Sequence, residues 1–170
     1  LAADGLKYVP TGLKHGTVTV KTGRRRLVEV TTYRVEAGFT DGRHPDGVTF
    51  VRSLEEDLAR RDLTVNALAL DPATGGLRDP FGGQADLAAR VIRAVGRPED
   101  RFAEDLLRIL RAVRFAAVLG FVIEPATLDA VCRCAHLLAR VAVERVRDEL
   151  TGTLMAPRPS VGLRLLEQTG

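Results

Sequence analysis

The sequence predicts an α+β fold with two parts, a sheet-containing part over residues 1–98 and an all-α part over residues 99–170. Apolar and polar residues alternate in the first third of the chain, which is typical of strands. Beyond Pro98 apolar residues recur every three or four positions, which is typical of helices. The chain has 170 residues, of which 45% are hydrophobic, so it is long enough for one large domain or two small ones with real cores.

A β-hairpin is expected near the start of the chain. Residues 17–20 and 26–34 alternate apolar and polar side chains on either side of the turn-like Lys21-Thr22-Gly23. Side chains two positions apart share a face of a strand, so Glu29 should project among mostly apolar neighbours. Residues 38–47 hold three glycines and a proline and should form a loop.

A helix is expected from Ser53 to about Leu70, because Ser53 and Glu56 have the spacing of a capping box. Its middle carries Arg60-Arg61-Asp62 and, one turn further on, Asn66. On one helix face these residues would supply two adjacent guanidiniums, a carboxylate that can orient one of them, and an amide. Such a group could hold a triphosphate or a ribose, although charged triplets are also common on exposed helices.

Glycine and proline residues mark the predicted limits of the remaining elements. Turn-forming clusters at 71–76 and 79–83 precede a short helix and a strand-like segment within 84–95. We place a boundary near Pro98. Helices are then expected over about 101–118, 125–138, 142–155 and 160–168.

The helix predicted from Arg101 carries the most informative side chains. It has an apolar stripe of Leu106, Ile109, Leu110 and Val113, and charged residues Glu104, Asp105, Arg108 and Arg111 at spacings of three and four. Asp105 accepts hydrogen bonds and Arg108 donates them. Cytosine and adenine each present an exocyclic amine beside a ring acceptor, which a carboxylate and an arginine match, whereas guanine and uracil carry the reversed pattern. The alternative interpretation is an ordinary solvated face held by ion pairs.

Composition excludes some classes of protein. No apolar stretch approaches 18 residues and the N-terminus lacks the features of a signal peptide, so a soluble, cytoplasmic protein without a transmembrane helix is expected. Arginine outnumbers lysine by 22 to 3, which suits phosphate binding, but a genome rich in G and C would produce the same bias. Aromatic residues are only 5% of the chain, so any RNA would be bound through its backbone and shape.

Five segments, in order, strengthen the nucleotide-binding interpretation. They are residues 11–20 (TGLKHGTVTV), 29–34 (EVTTYR), 60–67 (RRDLTVNA), 79–83 (DPFGG) with Asp86-Leu87, and 104–108 (EDLLR). Together they resemble the motifs of the class II tRNA nucleotidyltransferases, or CCA-adding enzymes, and of the related bacterial poly(A) polymerases. The likeness covers nearly the whole chain.

The resemblance implies a polymerase-β-like nucleotidyltransferase head with a mixed or antiparallel sheet over residues 1–98, followed by an all-α neck over residues 99–170. It implies addition of the 3′-terminal CCA to a tRNA from CTP and ATP without a nucleic-acid template, with Mg²⁺ stabilising the attacking and leaving oxygens. The partners would be the tRNA 3′ end, CTP and ATP. Alternatives are an A-adding enzyme or poly(A) polymerase, and a catalytically inactive module that binds nucleotide or RNA.

The resemblance also implies roles for individual residues. Asp105 and Arg108 would contact the base edge, and Glu104 would orient Arg108. Sugar or phosphate contacts would come from Arg61, Asp62, Asn66 and Arg111. Glu29 would be a catalytic acid and a possible metal ligand. Asp41 and Arg43 would belong to a flexible loop that distinguishes CCA-adding and A-adding enzymes from CC-adding ones.

The sequence departs from the family pattern at the metal site and at one core position. The sequence contains no Asp-x-Asp pair of the kind that holds the metals in this family, and Glu29 alone cannot hold two Mg²⁺ ions. We therefore expect a chain that lacks the N-terminal part of the head and the C-terminal body and tail, and that binds nucleotide better than it turns it over. Leu63 stands where the family usually has Phe, a change that a core should tolerate.

Overall fold

The structure is a computed structural model that describes residues 7–13, 16–22, 26–37 and 47–170. Within these ranges the chain is α+β, as predicted. The strands are β1 (Lys7–Gly12), β2 (Thr17–Lys21), β3 (Leu27–Thr31), β4 (Arg34–Ala37), β5 (Gly47–Phe50), β6 (Ala69–Leu70), β7 (Leu77–Arg78), β8 (Val91–Ile92) and β9 (Val122–Ile123). The α-helices are α1 (Leu54–Ala59), α2 (Gly83–Ala89), α3 (Pro98–Glu104), α4 (Leu107–Leu119), α5 (Pro125–Cys134), α6 (Val143–Leu154) and α7 (Pro159–Thr169).

The predicted hairpin is present as β2 and β3, which form an antiparallel sheet with β1 in the order β1-β2-β3. Glu29 lies on β3 directly opposite Thr19 and is exposed, so its cross-strand neighbour is polar rather than apolar. The strand expected over 26–34 is divided into β3, which pairs with β2, and the start of β4, which pairs with β5. The chain changes partner between them, where the amide of Thr32 donates to the carbonyl oxygen of Gly16 at 3.0 Å.

The helix predicted from Ser53 starts where expected but ends much earlier. The side chain of Ser53 accepts a hydrogen bond from the amide of Glu56 at 3.3 Å, which confirms the cap. However, α1 stops at Ala59, and residues 64–66 form a single 3₁₀ turn. The carbonyl oxygen of Asp62 instead accepts from Val95, and the amide of Thr64 donates to Arg93, so pairing with a distant segment replaces helical hydrogen bonds.

The helix predicted over 101–118 is broken at Asp105. This residue has extended backbone angles (φ −147°, ψ 105°) and separates α3 from α4. Its carboxylate accepts a hydrogen bond from the amide of Leu107 at 3.1 Å and so supports the first turn of α4. The expectation that Asp105 and Arg108 share a face of one continuous helix is therefore wrong.

The core is centred on α4. The predicted apolar stripe is confirmed, since Leu106, Ile109, Leu110 and Val113 are all buried. Leu106, Ile109 and Val113 belong to a core with residues from α3, β8 and α5, such as Phe102, Ile92 and Val131. The last helices follow the prediction closely, except that residues 135–140 continue α5 as a 3₁₀ helix.

A glycine contact fixes the position of α2 against the segment that follows α1. A β-carbon at Gly83 would overlap the carbonyl oxygen of Thr64 and lie 3.0 Å from its carbonyl carbon. The same interface contains a buried hydrogen bond of 2.6 Å from the hydroxyl of Thr64 to the carboxylate of Asp86. Only glycine allows this approach.

Gly83→Ala is therefore expected to lower the free energy of unfolding by about 1–3 kcal/mol, because the added methyl group must push backbone apart. Urea unfolding would measure it. Gly12→Ala is the matched control, since its added carbon would meet the nearest atom, Cβ of Thr17, at an ordinary 3.4 Å. Equal effects of the two substitutions would show that the close approach at Gly83 does not matter.

Candidate nucleotide-binding site

The two adjacent arginines at the end of α1 are oriented by Asp57, a residue that sequence reasoning missed. Oδ1 of Asp57 accepts from Nε and Nη2 of Arg60 at 3.0 and 2.7 Å, and Oδ2 accepts from Nη2 of Arg61 at 3.0 Å. Asp62 was expected to orient one of these arginines, and that expectation is wrong. The signal was present in the sequence, because Asp57 precedes the arginines by three and four positions on a helix.

Asp57 is only 4% exposed and also accepts from the backbone amide of Arg34 at 3.2 Å. Burial on its own would raise the pKa of this carboxyl group. The hydrogen bonds from Arg60, Arg34 and Arg61 outweigh burial and hold the pKa of Asp57 below its ordinary value. Asp57 is thus an ionised carboxylate that accepts four hydrogen bonds and holds both arginines. The side chain of Arg61 remains 43% exposed and can reach a ligand.

Asp57→Asn is expected to lower the free energy of unfolding at pH 7 by about 1.5–3 kcal/mol, the usual range for hydrogen bonds to a charged group. Because the folded-state pKa is lowered, the stabilisation is complete above the ordinary aspartate pKa and is lost as the pH falls below about 4. Urea unfolding between pH 7 and pH 3 should show wild type and variant converging in acid. A difference that stays constant across this range would contradict the account, and Asp148→Asn, in an exposed ion pair, is the control.

Asp62 joins the 60–67 segment to α4. It is buried, and its Oδ1 accepts from the amide of Leu63 at 2.8 Å and from Nδ2 of Asn66 at 3.1 Å. Its Oδ2 accepts from Nε of Arg111 at 2.8 Å. One carboxylate therefore positions two of the predicted ligand-binding side chains, and Arg111 keeps 37% of its side chain exposed.

Arg108 is held by three acceptors at the start of α4. Nη1 donates to Oε2 of Glu104 at 2.6 Å and to the carbonyl oxygen of Arg101 at 3.2 Å, and Nη2 donates to the carbonyl oxygen of Arg60 at 3.0 Å. Glu104 also pairs with the side chain of Arg101, which in turn donates to the carbonyl oxygen of Ala59 at 2.9 Å. A guanidinium has five N–H groups, so two of those on Arg108 are left for another partner.

Asp105 does not pair with Arg108 but with Arg145 of α6, whose Nη2 lies 2.8 Å from Oδ2. The two template candidates are nevertheless neighbours, because the amide of Arg108 donates to the carbonyl oxygen of Asp105 at 3.0 Å. An ionised carboxylate has about four acceptor positions, and the contacts above occupy two of them. Asp105 therefore retains acceptor capacity beside the free donors of Arg108. Arg145, forty positions along the chain, gave no local signal of this contact.

The predicted residues divide into three groups. Seven of them lie where the end of α1 approaches the start of α4: Arg61, Asp62, Asn66, Glu104, Asp105, Arg108 and Arg111. Glu29 lies apart on the exposed sheet. Asp41 and Arg43 fall outside the described residues.

A metal ion needs several donor groups that lie close together. Among residues 7–13, 16–22, 26–37 and 47–170, no three His, Cys, Asp or Glu side chains come together closely enough to hold an ion. The nearest candidate, Glu29, offers a single carboxylate, and Mg²⁺ needs several oxygen ligands in octahedral arrangement. The described residues therefore do not fit a magnesium site. The same part of the chain contains no helix long and apolar enough to cross a membrane.

Comparison with known proteins identifies the family. Residues 2–93 match the family described as "Poly A polymerase head domain", and residues 120–170 match "Probable RNA and SrmB- binding site of polymerase A". The chain is 48% identical over 164 residues to the CCA-adding enzyme of Lactobacillus johnsonii, covering 96% of this chain and 41% of that protein. It is also 48% identical over 164 residues to the CCA-adding enzyme of Geobacillus stearothermophilus, covering 96% and 40%.

The solved structures that resemble this chain include CCA-adding enzymes as well. A Bacillus stearothermophilus CCA-adding enzyme in complex with CTP superposes with a TM-score of 0.87 at 47% identity, over 96% of this chain and 39% of that one. A Thermotoga maritima CCA-adding enzyme complexed with tRNA gives a TM-score of 0.78 at 29% identity, over 99% and 38%. The fold is thus that of a nucleotidyltransferase head with helices after it.

The chain belongs to the family of class II tRNA nucleotidyltransferases and bacterial poly(A) polymerases. It spans about two fifths of the length of the curated relatives described above.

Proposed function

We propose that this chain supplies the nucleotide-binding and base-selecting part of a CCA-adding tRNA nucleotidyltransferase, which adds CMP, CMP and AMP from CTP and ATP to the 3′ end of a tRNA. The observation that carries the proposal is the junction of α1 and α4. There Asp105 and Arg108 are adjacent, each is fixed by its own protein partner, and each keeps free hydrogen-bonding capacity. An acceptor beside a donor matches cytosine and adenine and mismatches uracil and guanine.

Each group of residues has a role in this proposal. Asp105 and Arg108 contact the base edge, and Glu104 orients Arg108. Arg61, Asn66 and Arg111 contact sugar or phosphate, while Asp62 positions Asn66 and Arg111. Residues 1–98 form the head and residues 99–170 the neck. Because the base is matched by protein side chains held from several directions, no nucleic-acid template is needed.

Catalysis needs groups beyond this junction. Glu29 is the candidate catalytic acid on the sheet, and Asp41 and Arg43 are candidates for a loop that favours addition of A. Mg²⁺ belongs to the proposed reaction, but the described residues assemble no site for it, so no step is assigned to the ion. The cytoplasm, where tRNA is processed, is the proposed location.

Incorporation by the full-length protein tests this proposal. CTP and ATP would be offered separately and together, with Mg²⁺, to a tRNA ending before CCA, to a tRNA ending after CC, and to an RNA oligonucleotide that is not a tRNA. Completion of CCA on the first tRNA supports the proposal. Addition of A alone would replace it with an A-adding enzyme or, if the oligonucleotide is also extended, with a poly(A) polymerase. Nucleotide binding without any incorporation would indicate an inactive binding module.

A further inference from the structure

A second concave site lies at the opposite end of α4 from the candidate nucleotide-binding site. It has a volume of about 250 Å³ and is lined mainly by Arg90, Leu119, Gly120, Phe121, Pro157 and Arg158, which we call the Arg90–Arg158 pocket. Leu119 lies eleven positions after Arg108 in α4, which corresponds to about 16 Å along the helix. The pocket is therefore a separate site from the base-selecting junction.

Two arginines give the pocket its chemistry. The side chains of Arg90 and Arg158 are exposed, and neither has an ion-pair or hydrogen-bond partner among the residues that the structure describes. This contrasts with Arg101, Arg108, Arg111, Arg114 and Arg145, which all pair with carboxylates. None of the described side chains that line the pocket is acidic. The pocket is thus a concave surface with two arginines that have no carboxylate partner among the described residues.

The backbone holds Arg90 in place. Of the described residues other than glycine, Arg90 alone has a positive φ (58°), a left-handed conformation that is unfavourable for residues with a β-carbon. Its amide donates to the carbonyl oxygens of Asp86 and Leu87 at the end of α2, and its carbonyl oxygen accepts from the amide of Val122 at 3.0 Å. The pairing of β8 with β9 continues from this contact, so the backbone from which the Arg90 side chain extends is held in place.

Arg158 is fixed from the other side. It immediately precedes α7, and its side chain lies along the backbone of Gly120, where a β-carbon would come within 3.5 Å of Nη1. The helix itself packs closely on α4, since a β-carbon at Gly162 would lie 3.2 Å from Cβ of Ala117. The two guanidiniums are therefore carried by rigid elements from the two segments that match the head-domain and RNA-binding families.

We infer that the Arg90–Arg158 pocket binds a backbone phosphate of the RNA substrate. The inference rests on the proposed function, which makes RNA a substrate. Arginine forks bind phosphate oxygens bidentately, and two of them around one concavity suit a single anionic group with several acceptors. The pocket offers no acidic group to exclude a phosphate and, apart from Phe121, no aromatic ring on which a base could stack. The pocket would bind the RNA at a point distant from the 3′ end, where nucleotides are added.

The test compares two double variants of the full-length protein with equal loss of charge. One is Arg90→Gln with Arg158→Gln. The control is Arg140→Gln with Arg164→Gln, two arginines that are also exposed and have no partner among the described residues but lie outside the pocket. Binding of a tRNA ending before CCA would be measured across a series of salt concentrations, and CTP binding would be measured without RNA.

The pocket variant is expected to weaken tRNA binding about tenfold more than the control variant. Its slope of log affinity against log salt should fall by about one, as for the loss of one phosphate contact. CTP affinity should stay at the wild-type value, which also shows that the protein is folded. Equal tRNA affinities of the two double variants would overturn the inference. A parallel loss of CTP affinity in a pocket variant that unfolds in urea like the wild type would also overturn it, because it would place a nucleotide rather than RNA in the pocket.

The inference and the proposed function can fail separately. If the wild-type protein binds tRNA through the pocket but incorporates neither CMP nor AMP, the proposed activity is wrong and the phosphate site stands. If it completes CCA and the two double variants bind tRNA equally, the activity stands and the phosphate site is wrong.

Discussion

Arg108→Ala in the full-length protein is expected to reduce the preference for CTP over UTP by about tenfold to a hundredfold, which corresponds to the 1–3 kcal/mol of a bidentate contact with a base edge. The free N–H groups of Arg108 are the donors that we assign to the ring acceptor of the base. Without them, cytosine loses a partner that uracil never had, so the two nucleotides become more alike. The measurement is the ratio of kcat/KM for incorporation of CTP and UTP onto a tRNA ending before CCA.

Two further variants separate base selection from structure. Arg108→Lys keeps the positive charge but lacks the planar fork, so it should also lose preference. Arg114→Ala removes another arginine of the same helix, whose Nε lies 2.6 Å from Glu149, and should leave the preference intact even if it destabilises the fold. An unchanged CTP-over-UTP ratio in Arg108→Ala would remove Arg108 from the base-selecting role.

Asp62→Asn is expected to weaken binding of CTP and ATP alike, by about tenfold or more, because it removes the charge that holds Arg111 and Asn66. These side chains are assigned to sugar and phosphate, which are common to both nucleotides. The preference for CTP over UTP should therefore change little, which is the opposite pattern from Arg108→Ala. Equilibrium binding of each nucleotide to the full-length protein measures both quantities.

Asp86→Asn is the matched control for Asp62→Asn. Asp86 is also a buried aspartate with an arginine partner, Arg93 at 3.1 Å, but it lies in the interface between α2 and Thr64 rather than at the junction. Both variants should lower the free energy of unfolding, but only Asp62→Asn should also weaken nucleotide binding. A loss of CTP affinity of the same size in Asp86→Asn would mean that Asp62 acts through general stability alone.

Features that depend on neighbouring residues could be predicted from the sequence. The Ser53 cap, the β2–β3 hairpin and the apolar stripe of α4 each involve side chains a few positions apart or one period apart, and each is present. The α+β class followed from these local patterns, whereas the family was identified from the resemblance of five sequence segments to its motifs.

Features that depend on distant partners could not be predicted in this way. α1 ends at Ala59 because the next residues pair with the 93–95 segment. The second helix is interrupted at Asp105, whose carboxylate accepts hydrogen bonds from the amide of Leu107 and the side chain of Arg145. The sequence favoured a continuous helix in both places, through the Ser53 capping box in the first and the apolar stripe in the second. As a result, the residues of the candidate site were named from the sequence, but their partners, such as Asp57 for Arg61, were found only in the structure.

Selection of the base by protein side chains can be measured as the dissociation constants of CTP, ATP, UTP and GTP for the full-length protein without RNA. We predict that CTP and ATP bind at least about tenfold more tightly than UTP and GTP, because only the first two match an acceptor beside a donor. Four equal dissociation constants would contradict selection by Asp105 and Arg108.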